Sequence, residues 1–88
     1  MKTLLDRTKD ELDKEGNHWS RRVVVINVYH HYKLNINPRW TYADTGRDLK
    51  VSKAFVSEAI KLANSIVKMP ELINLSRKKA ISMVRTNA

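Results

Sequence analysis

Apolar residues recur along the chain at the three- and four-residue spacing of α-helices. The clearest case runs from Lys53 to about Val67, where the spacing predicts one broad buried face. The inner positions are Phe55, Val56, Ala59, Ile60, Ala63, Ile66 and Val67, and the outer positions include Lys53, Ser57, Glu58, Lys61 and Asn64. We therefore expect a helix with one side in the core and the other in solvent.

Sequence signals for helix ends bracket this helix and a shorter one before it. Ser52 is suited to cap the start of the long helix, and Met69-Pro70 ends it because proline cannot continue an α-helix. Thr41 and Asp44 have the spacing of a capping box, which predicts a short helix from Thr41 to about Leu49. A tight turn at Lys50-Val51 then joins the two helices.

The N-terminal segment predicts a short helix of mixed charge from Thr3 to Glu15, which ends at Gly16. Its apolar face is thin and consists of Leu5, Leu12 and Thr8. Such a helix needs to dock onto the main body or onto a second subunit to be stable.

The segment from Ser20 to about Leu34 carries two conflicting signals. The β-branched run of residues 23–26 favours a strand, whereas Val25, Val28, Tyr29 and Tyr32 have helical spacing. Because the segment is longer than most strands and starts with a potential serine cap, we predict a buried helix, followed by a loop over residues 35–38.

The C-terminal part predicts one helical turn over residues 70–75 and a last helix from Ser76 to about Arg85, with Ala80, Ile81 and Val84 facing inward. The predicted fold is all-α, a small helix-turn-helix domain of four to five helices. We divide it into an N-terminal helix (residues 1–16) for docking or dimerisation and the helix-turn-helix domain (residues 17–88).

Composition changes this picture mainly through charge. The 88 residues carry 17 Lys and Arg against 9 Asp and Glu, a net charge of +8, and residues 16–88 alone hold 13 basic and 4 acidic side chains. Because the basic residues alternate with apolar ones, they indicate a folded domain with a positive surface rather than a disordered tail. A polyanion is the expected partner.

The two helices between Thr41 and Val67 have the arrangement of a helix-turn-helix, whose second helix enters the DNA major groove. Apolar side chains would fix the crossing angle of the two helices, and Gly46 would let them approach closely. The apolar residues concerned are Leu49, Val51, Val56 and Ala59.

Residues 45–63, TGRDLKVSKAFVSEAIKLA, resemble the helix-turn-helix of bacterial and phage regulators, and most of all that of the ParB/KorB partition and repressor proteins. Phe55-Val56-Ser57 followed by Ile60-Lys61-Leu62 carries the likeness, and Met69-Pro70 is similar to the Leu-Pro of that family. The resemblance covers about 30 of the 88 residues. Lys50 stands where the family usually has Gly and Gly46 where it usually has Ala. The remaining parts of a partition protein are missing from the sequence, so partition itself is not implied.

The resemblance implies a set of base-reading residues on the second helix, namely Ser52, Lys53, Ala54, Ser57, Glu58 and Lys61. Lys53 and Lys61 can donate to guanine or to phosphate, Glu58 can accept from cytosine, and Ala54 can contact a thymine methyl group. The alternative is that this surface is an ordinary solvated helix face.

Other basic residues are candidates for phosphate contacts. Three predicted helix starts combine a serine with cations, which the helix dipole disfavours unless an external anion binds there. With the residues that flank the second helix, the candidates are Arg21, Arg22, Arg39, Thr41, Tyr42, Arg47, Lys50, Arg77, Lys78 and Lys79. The alternative is that the starts are misplaced by a few residues.

Several other chemistries find no support in the sequence. There is no cysteine, and His30 and His31 are adjacent, so we expect no metal and no cofactor. No glycine-rich phosphate loop or catalytic triad order occurs, so we expect no enzyme and no small-molecule substrate. Trp19 and Trp40 are expected to fill the ends of the core rather than to stack on bases.

The leading hypothesis is a sequence-specific double-stranded DNA-binding protein, a small phage, plasmid or bacterial transcriptional regulator. A single helix-turn-helix reads few base pairs, so we expect a homodimer on half-sites about 34 Å apart, formed through the first and last helices. We expect it in the cytoplasm with the nucleoid, and no membrane contact. The alternatives are a non-specific architectural or small-terminase-like packaging factor, and a protein-interaction module that docks its basic face on an acidic partner.

Overall fold

A computed structural model describes residues 3–14 and 16–86. Within these ranges the chain forms five α-helices and one 3₁₀ helix, and no strand. The α-helices are α1 (Leu4–Asp13), α2 (Trp19–Ile36), α3 (Tyr42–Leu49), α4 (Lys53–Lys68) and α5 (Arg77–Thr86), and the 3₁₀ helix is Pro70–Asn74. The predicted all-α class of four to five helices is confirmed, and the predicted end of the first helix at Glu15 lies outside the described residues.

Side-chain caps explain where the α-helices begin. Thr3 with Asp6 and Thr41 with Asp44 form complete capping boxes at α1 and α3. Ser52 Oγ accepts a hydrogen bond from Phe55 N–H (3.0 Å) at the start of α4. The predicted caps of α3 and α4 are therefore confirmed.

The predicted cap of α2 is wrong. His18 caps this helix, since its Nδ1 accepts a hydrogen bond from Ser20 N–H (3.2 Å), and Ser20 lies inside the first turn. At the other end the helix continues to Ile36, two residues past the predicted end. It stops at Asn37, which is extended because Pro38 follows.

The core lies between α2 and α4 and is closed by α3, the 3₁₀ helix and α5. Its buried apolar residues are Val23, Ile26, Tyr29, Leu49, Val56, Ala59, Ile60, Leu62, Ala63, Leu72, Ala80 and Ile81. The predicted core of α2 was partly wrong, since Val28 and Tyr32 are exposed. Helix α2 is apolar on several sides, so its spacing did not identify the inner one.

Two positions of α4 also differ from the prediction. Val67 is 82% exposed, because Ile66 and Met69 approach the core in that last turn and leave Val67 on the solvent side. Leu62, which we did not expect inside, is completely buried. The remaining predicted inner residues of α4 are buried or half-buried.

The first and last helices pack against the rest of the chain. Thr8 is buried, and Leu5 and Leu12 are half-buried against the core, as the thin apolar face of α1 predicted. An ion pair between Arg21 Nε and Glu11 Oε2 (3.1 Å) fastens α1 to α2. Ala80 and Ile81 of the last helix lie in the core of the chain itself, so they are not available for the predicted contact with a second subunit.

Candidate nucleic-acid interface

The turn between α3 and α4 brings two backbone segments unusually close. A Cβ atom on Gly46 would lie 2.6 Å from the carbonyl oxygen of Val51, far inside any real contact. The same glycine's carbonyl oxygen accepts hydrogen bonds from the N–H groups of Lys50 and Val51. The predicted role of Gly46 in close helix packing is confirmed. Glycine within a helix costs about 1 kcal/mol of stability relative to alanine, and the lack of room for a side chain explains why glycine occupies this position.

Lys50 adopts the left-handed conformation that the turn requires, with φ 59° and ψ 43°. A non-glycine residue there is disfavoured by roughly 1–2 kcal/mol. The turn keeps this conformation because both N–H groups that follow α3 find a partner in Gly46. The result is a fixed angle between α3 and α4.

Helix α4 presents a row of polar side chains to solvent. Lys53, Lys61, Asn64 and Lys68 are exposed and Ser57 is half-buried. Their spacing of three and four residues places all five on one line, which we call the α4 ridge. Asn64 and Lys68 were not among the predicted site residues, although the same spacing could have identified them.

The other predicted base-reading residues have different environments. Ser52 is exposed, but its hydroxyl caps α4, and Ala54 is exposed beside the ridge. Glu58 is half-buried and forms an ion pair with Arg77 of α5, whose guanidinium also lies 5.4 Å from the centre of the Phe55 ring. Glu58 and Arg77 therefore fasten α5 to the flank of α4, and each of these two predicted contacts has a partner within the chain.

Two of the predicted phosphate contacts are paired with a carboxylate but stay exposed. Arg21 pairs with Glu11 (3.1 Å) and Arg47 with Asp44 (2.9 Å), and their side chains are 62% and 72% exposed. The other exposed candidates are Arg22, Arg39, Thr41, Tyr42, Lys50, Lys78 and Lys79.

A cationic groove of about 340 Å³ lies next to the start of α4. It is lined by Lys9, Arg22 and Lys50 together with the apolar side chains of Leu49, Val51 and Phe55, and one acidic residue, Asp13. Lys9 was not predicted as a site residue. Because it comes from α1, which is distant in sequence, the spacing of residues gave no indication of it.

A second groove, of about 420 Å³, lies on the other side of the α4 start. Its lining includes His30, His31, Trp40, Tyr42 and Lys53. This groove borders the N-terminus of α3. The ridge residue Lys53 and the candidate phosphate contact Tyr42 thus line the same groove.

A buried hydrogen-bond network fixes the walls of this second groove. Trp40 Nε1 donates to Thr45 Oγ1 (2.7 Å), and His30 Nδ1 lies 2.7 Å from the same oxygen. Since the indole is only a donor, the threonine hydroxyl can donate in turn to His30, which is then neutral. Burial lowers the pKa of His30, in keeping with that state.

The two tryptophans belong to the packing of the domain, as predicted. Trp40 is half-buried and bonded to Thr45, and Trp19 Nε1 donates to the Leu75 carbonyl oxygen (2.9 Å). Tyr29 is also internal, since its hydroxyl donates to Asp48 Oδ2 (2.6 Å) and so ties α2 to α3. Burial, followed by the bond to Asp48, raises the pKa of Tyr29.

Comparison of the chain with protein-family models, with curated proteins and with solved structures finds no match. Within residues 3–14 and 16–86, no helix has the length and apolar character needed to cross a membrane. The same residues include no cluster of three or more His, Cys, Asp or Glu side chains that could hold a metal ion.

Proposed function

We propose that this chain binds double-stranded DNA, with α3 and α4 as a helix-turn-helix and the α4 ridge in the major groove. The observation that carries the proposal is the backbone approach at Gly46, which holds the two helices at a fixed angle. That angle leaves an exposed ridge with three lysines, Lys53, Lys61 and Lys68. A rigid helix with a polar outer face is what base recognition in the major groove requires.

The ridge residues have distinct roles in this proposal. Lys53 and Lys61 donate to guanine O6 and N7 or to phosphate, Ser57 donates or accepts, and Ala54 contacts a thymine methyl group. Asn64 and Lys68 extend the contact along the helix. Glu58 takes no part in base recognition, because its carboxylate neutralises Arg77.

Phosphate contacts flank the ridge on both sides. Thr41, Tyr42, Arg39 and Arg47 lie at or near α3, while Arg22, Lys50 and Lys9 surround the cationic groove beside the start of α4. Lys78 and Lys79 are exposed on α5. These contacts position the ridge on the duplex without reading sequence.

The biological role we propose is that of a small sequence-specific regulator of the phage, plasmid or bacterial type. The resemblance of residues 45–63 to such regulators supports this role, together with the net charge of +8. The same features support a location in the cytoplasm with the nucleoid, and a role as a DNA-binding protein rather than an enzyme.

A second candidate is favoured by an apolar groove between α4 and α5. Met69, Leu72, Met83 and Val84 line about 440 Å³, and Lys61 and Lys68 lie at its edge. An acidic amphipathic helix of another protein would match both features. In that case the chain would bind protein instead of DNA.

One experiment separates these functions. Selection of binding sites from random duplexes, repeated at two salt concentrations, should yield a consensus under the leading proposal. With about five phosphates neutralised, log K should fall against log salt with a slope near −4.5. Binding without any consensus would indicate an architectural factor, and absence of duplex binding at low salt would favour the protein partner.

A further inference from the structure

Three of the five residues of the α4 ridge also line the apolar groove between α4 and α5. Lys61, Asn64 and Lys68 belong to the lining of this groove of about 440 Å³, next to Ser65 of the same helix. The ridge and the groove are therefore neighbouring surfaces that share side chains. Whatever binds in the groove changes what the ridge can contact.

The apolar part of the groove can adapt to different side chains. Leu72 of the 3₁₀ helix is completely buried, Met69 and Val84 are half-buried, and Met83 is 40% exposed. Two of the three methionines of the chain thus line one groove. Because methionine is flexible and polarizable, such a lining accommodates apolar side chains of different shapes. It suits aliphatic side chains rather than the phosphates of a nucleic acid.

Charge at the edge of the groove indicates which partner fits. Its two charged lining residues are Lys61 and Lys68, both exposed, and no Asp or Glu lines it within the described part of the chain. A second copy of this chain would bring a net charge of +8 to these cations, which disfavours it as the occupant. A duplex could pair with the lysines but would leave the apolar part uncovered. An acidic partner with an apolar face matches both parts.

The spacing of the two lysines indicates the shape of the partner. Lys61 and Lys68 are seven positions apart in α4, which is about two helical turns or 10 Å. A helix that lies along α4 places its own residues i and i+7 at the same distance. Two of its carboxylates can therefore face both lysines while its apolar face lies in the groove, as in other complexes of an amphipathic helix with a groove.

We propose that the groove between α4 and α5 is a regulatory site for an acidic amphipathic helix of another protein, and that this helix and DNA exclude each other. The apolar face of the helix contacts Met69, Leu72 and Met83, and its carboxylates pair with Lys61 and Lys68. The exclusion rests on the proposed DNA binding, whereas the groove itself does not.

The shared lysines are the reason for the exclusion. A lysine that is paired with a carboxylate no longer offers its charge to phosphate or guanine. The helix would engage Lys61 and Lys68 and cover Asn64, and leave Lys53 and Ser57 at the other end of the ridge. Its remaining acidic residues also repel the phosphates of an adjacent duplex. Binding of the helix therefore releases the chain from DNA.

A synthetic peptide tests the groove without DNA. The probe is a labelled amphipathic helix of about 16 residues, with leucines on one face and glutamates at positions i and i+7 beside them. Fluorescence anisotropy should show binding with a dissociation constant of roughly 10–100 µM. A peptide of the same composition in scrambled order has no apolar face and should bind at least about tenfold more weakly.

Two matched variants locate the binding. Met83 is 40% exposed and lines the groove, whereas Ile73 is 41% exposed and lies outside its lining. Met83→Gln should weaken peptide binding about fivefold or more, because it removes an apolar contact, and Ile73→Gln should leave it unchanged. Thermal melting verifies that both variants fold. Absence of peptide binding to the wild type, or equal losses in the two variants, would overturn the site.

Sedimentation velocity tests a second copy of the chain as the occupant of the groove. Met83→Gln should leave the oligomeric state of the wild type unchanged. A dimer that dissociates in Met83→Gln but not in Ile73→Gln would assign the groove to a second copy and contradict the proposal.

Displacement of a fluorescent duplex at low salt tests the exclusion. The amphipathic peptide, without its label, should release the duplex from the wild-type chain, and the scrambled peptide should need about tenfold higher concentrations. Met83→Gln should bind the duplex like the wild type but need about fivefold more peptide for release. A peptide that binds without releasing the duplex, or equal release by both peptides, would refute the exclusion. A chain that binds the peptide but no duplex supports the groove and refutes the proposed function together with the exclusion.

Discussion

The outer faces of α4 and α2 differ sharply, although the two helices bury their inner faces against the same core. The outside of α4 carries Lys53, Lys61 and Lys68, and the outside of α2 carries a line of apolar residues with no charge from position 23 to 32. One face is cationic and the other is neutral and apolar. Two helices that share one core can therefore expose surfaces of very different chemistry, even in a domain of this size.

The two faces also differ in how they are held. The α4 ridge depends on a backbone contact at Gly46, where there is no room for a side chain. The region of α1 and α2 depends on side chains, such as the exposed ion pair of Glu11 with Arg21. A substitution should therefore damage the first region far more than the second.

The largest effect is expected from Gly46→Ala. The added Cβ would collide with the Val51 carbonyl oxygen, and backbone cannot move aside as a flexible side chain can. We expect the free energy of unfolding to fall by about 2–4 kcal/mol in urea denaturation. Gly16→Ala is the control: it has a positive φ of 83° but open space around it, so it should cost only about 1 kcal/mol. Similar losses in both variants would contradict the steric role of Gly46.

The second-largest effect is expected on base recognition by the α4 ridge. Lys53→Ala and Ser57→Ala should each weaken binding to the selected duplex by about 1–3 kcal/mol, and weaken binding to random duplex much less. Arg7→Ala removes one exposed charge from α1, where Arg7 borders Val25 and Val28 of α2, and should change the two affinities little and equally. Fluorescence anisotropy on both duplexes measures this. If the ridge variants lost the same affinity for both duplexes, Lys53 and Ser57 would contact phosphate and would not read bases.

A pH effect should originate between the two faces, at His30. Its pKa is lowered in the folded protein by burial, so below about pH 6.5 the unfolded chain binds a proton that the folded one does not. The free energy of unfolding should thus decrease as the pH is lowered from 7 toward 5. Urea denaturation across that range should show the decrease in the wild type and a flatter profile in His30→Gln. A steep profile that persists in His30→Gln would assign the effect to other groups.

The smallest effect distinguishes the two capping boxes. Thr41→Ala and Thr3→Ala remove equivalent caps, each worth about 1 kcal/mol to its helix. Helix α3 is central, so the loss of Thr41 should lower global stability, whereas α1 is terminal and should only fray. Hydrogen exchange should then accelerate in α1 alone for Thr3→Ala. Acceleration throughout the described chain would mean that α1 is part of the global unfolding unit.

Sequence reasoning succeeded where local signals determine structure. Helices α3 and α4 follow from Thr41, Asp44, Ser52 and Pro70, whose effects extend over one turn. It failed on the orientation of α2, because apolar residues on every side leave no period to detect. It also could not foresee that Glu58 and Arg77, which are 19 positions apart, would pair, since that contact depends on how α5 returns to α4.

The two tryptophans are placed so that they report on separate parts of the molecule. Trp19 is bonded to Leu75, next to α5, while Trp40 is bonded to Thr45 beneath the groove that borders Lys53. The ammonium group of Lys33 lies 5.3 Å from the centre of the Trp40 ring, so we expect an anion that draws this cation away to change the emission of that indole. Trp40 thus lies beside α3 and Trp19 lies next to α5. Binding of an anion beside α3 should therefore be detectable through the fluorescence of Trp40, without an added label.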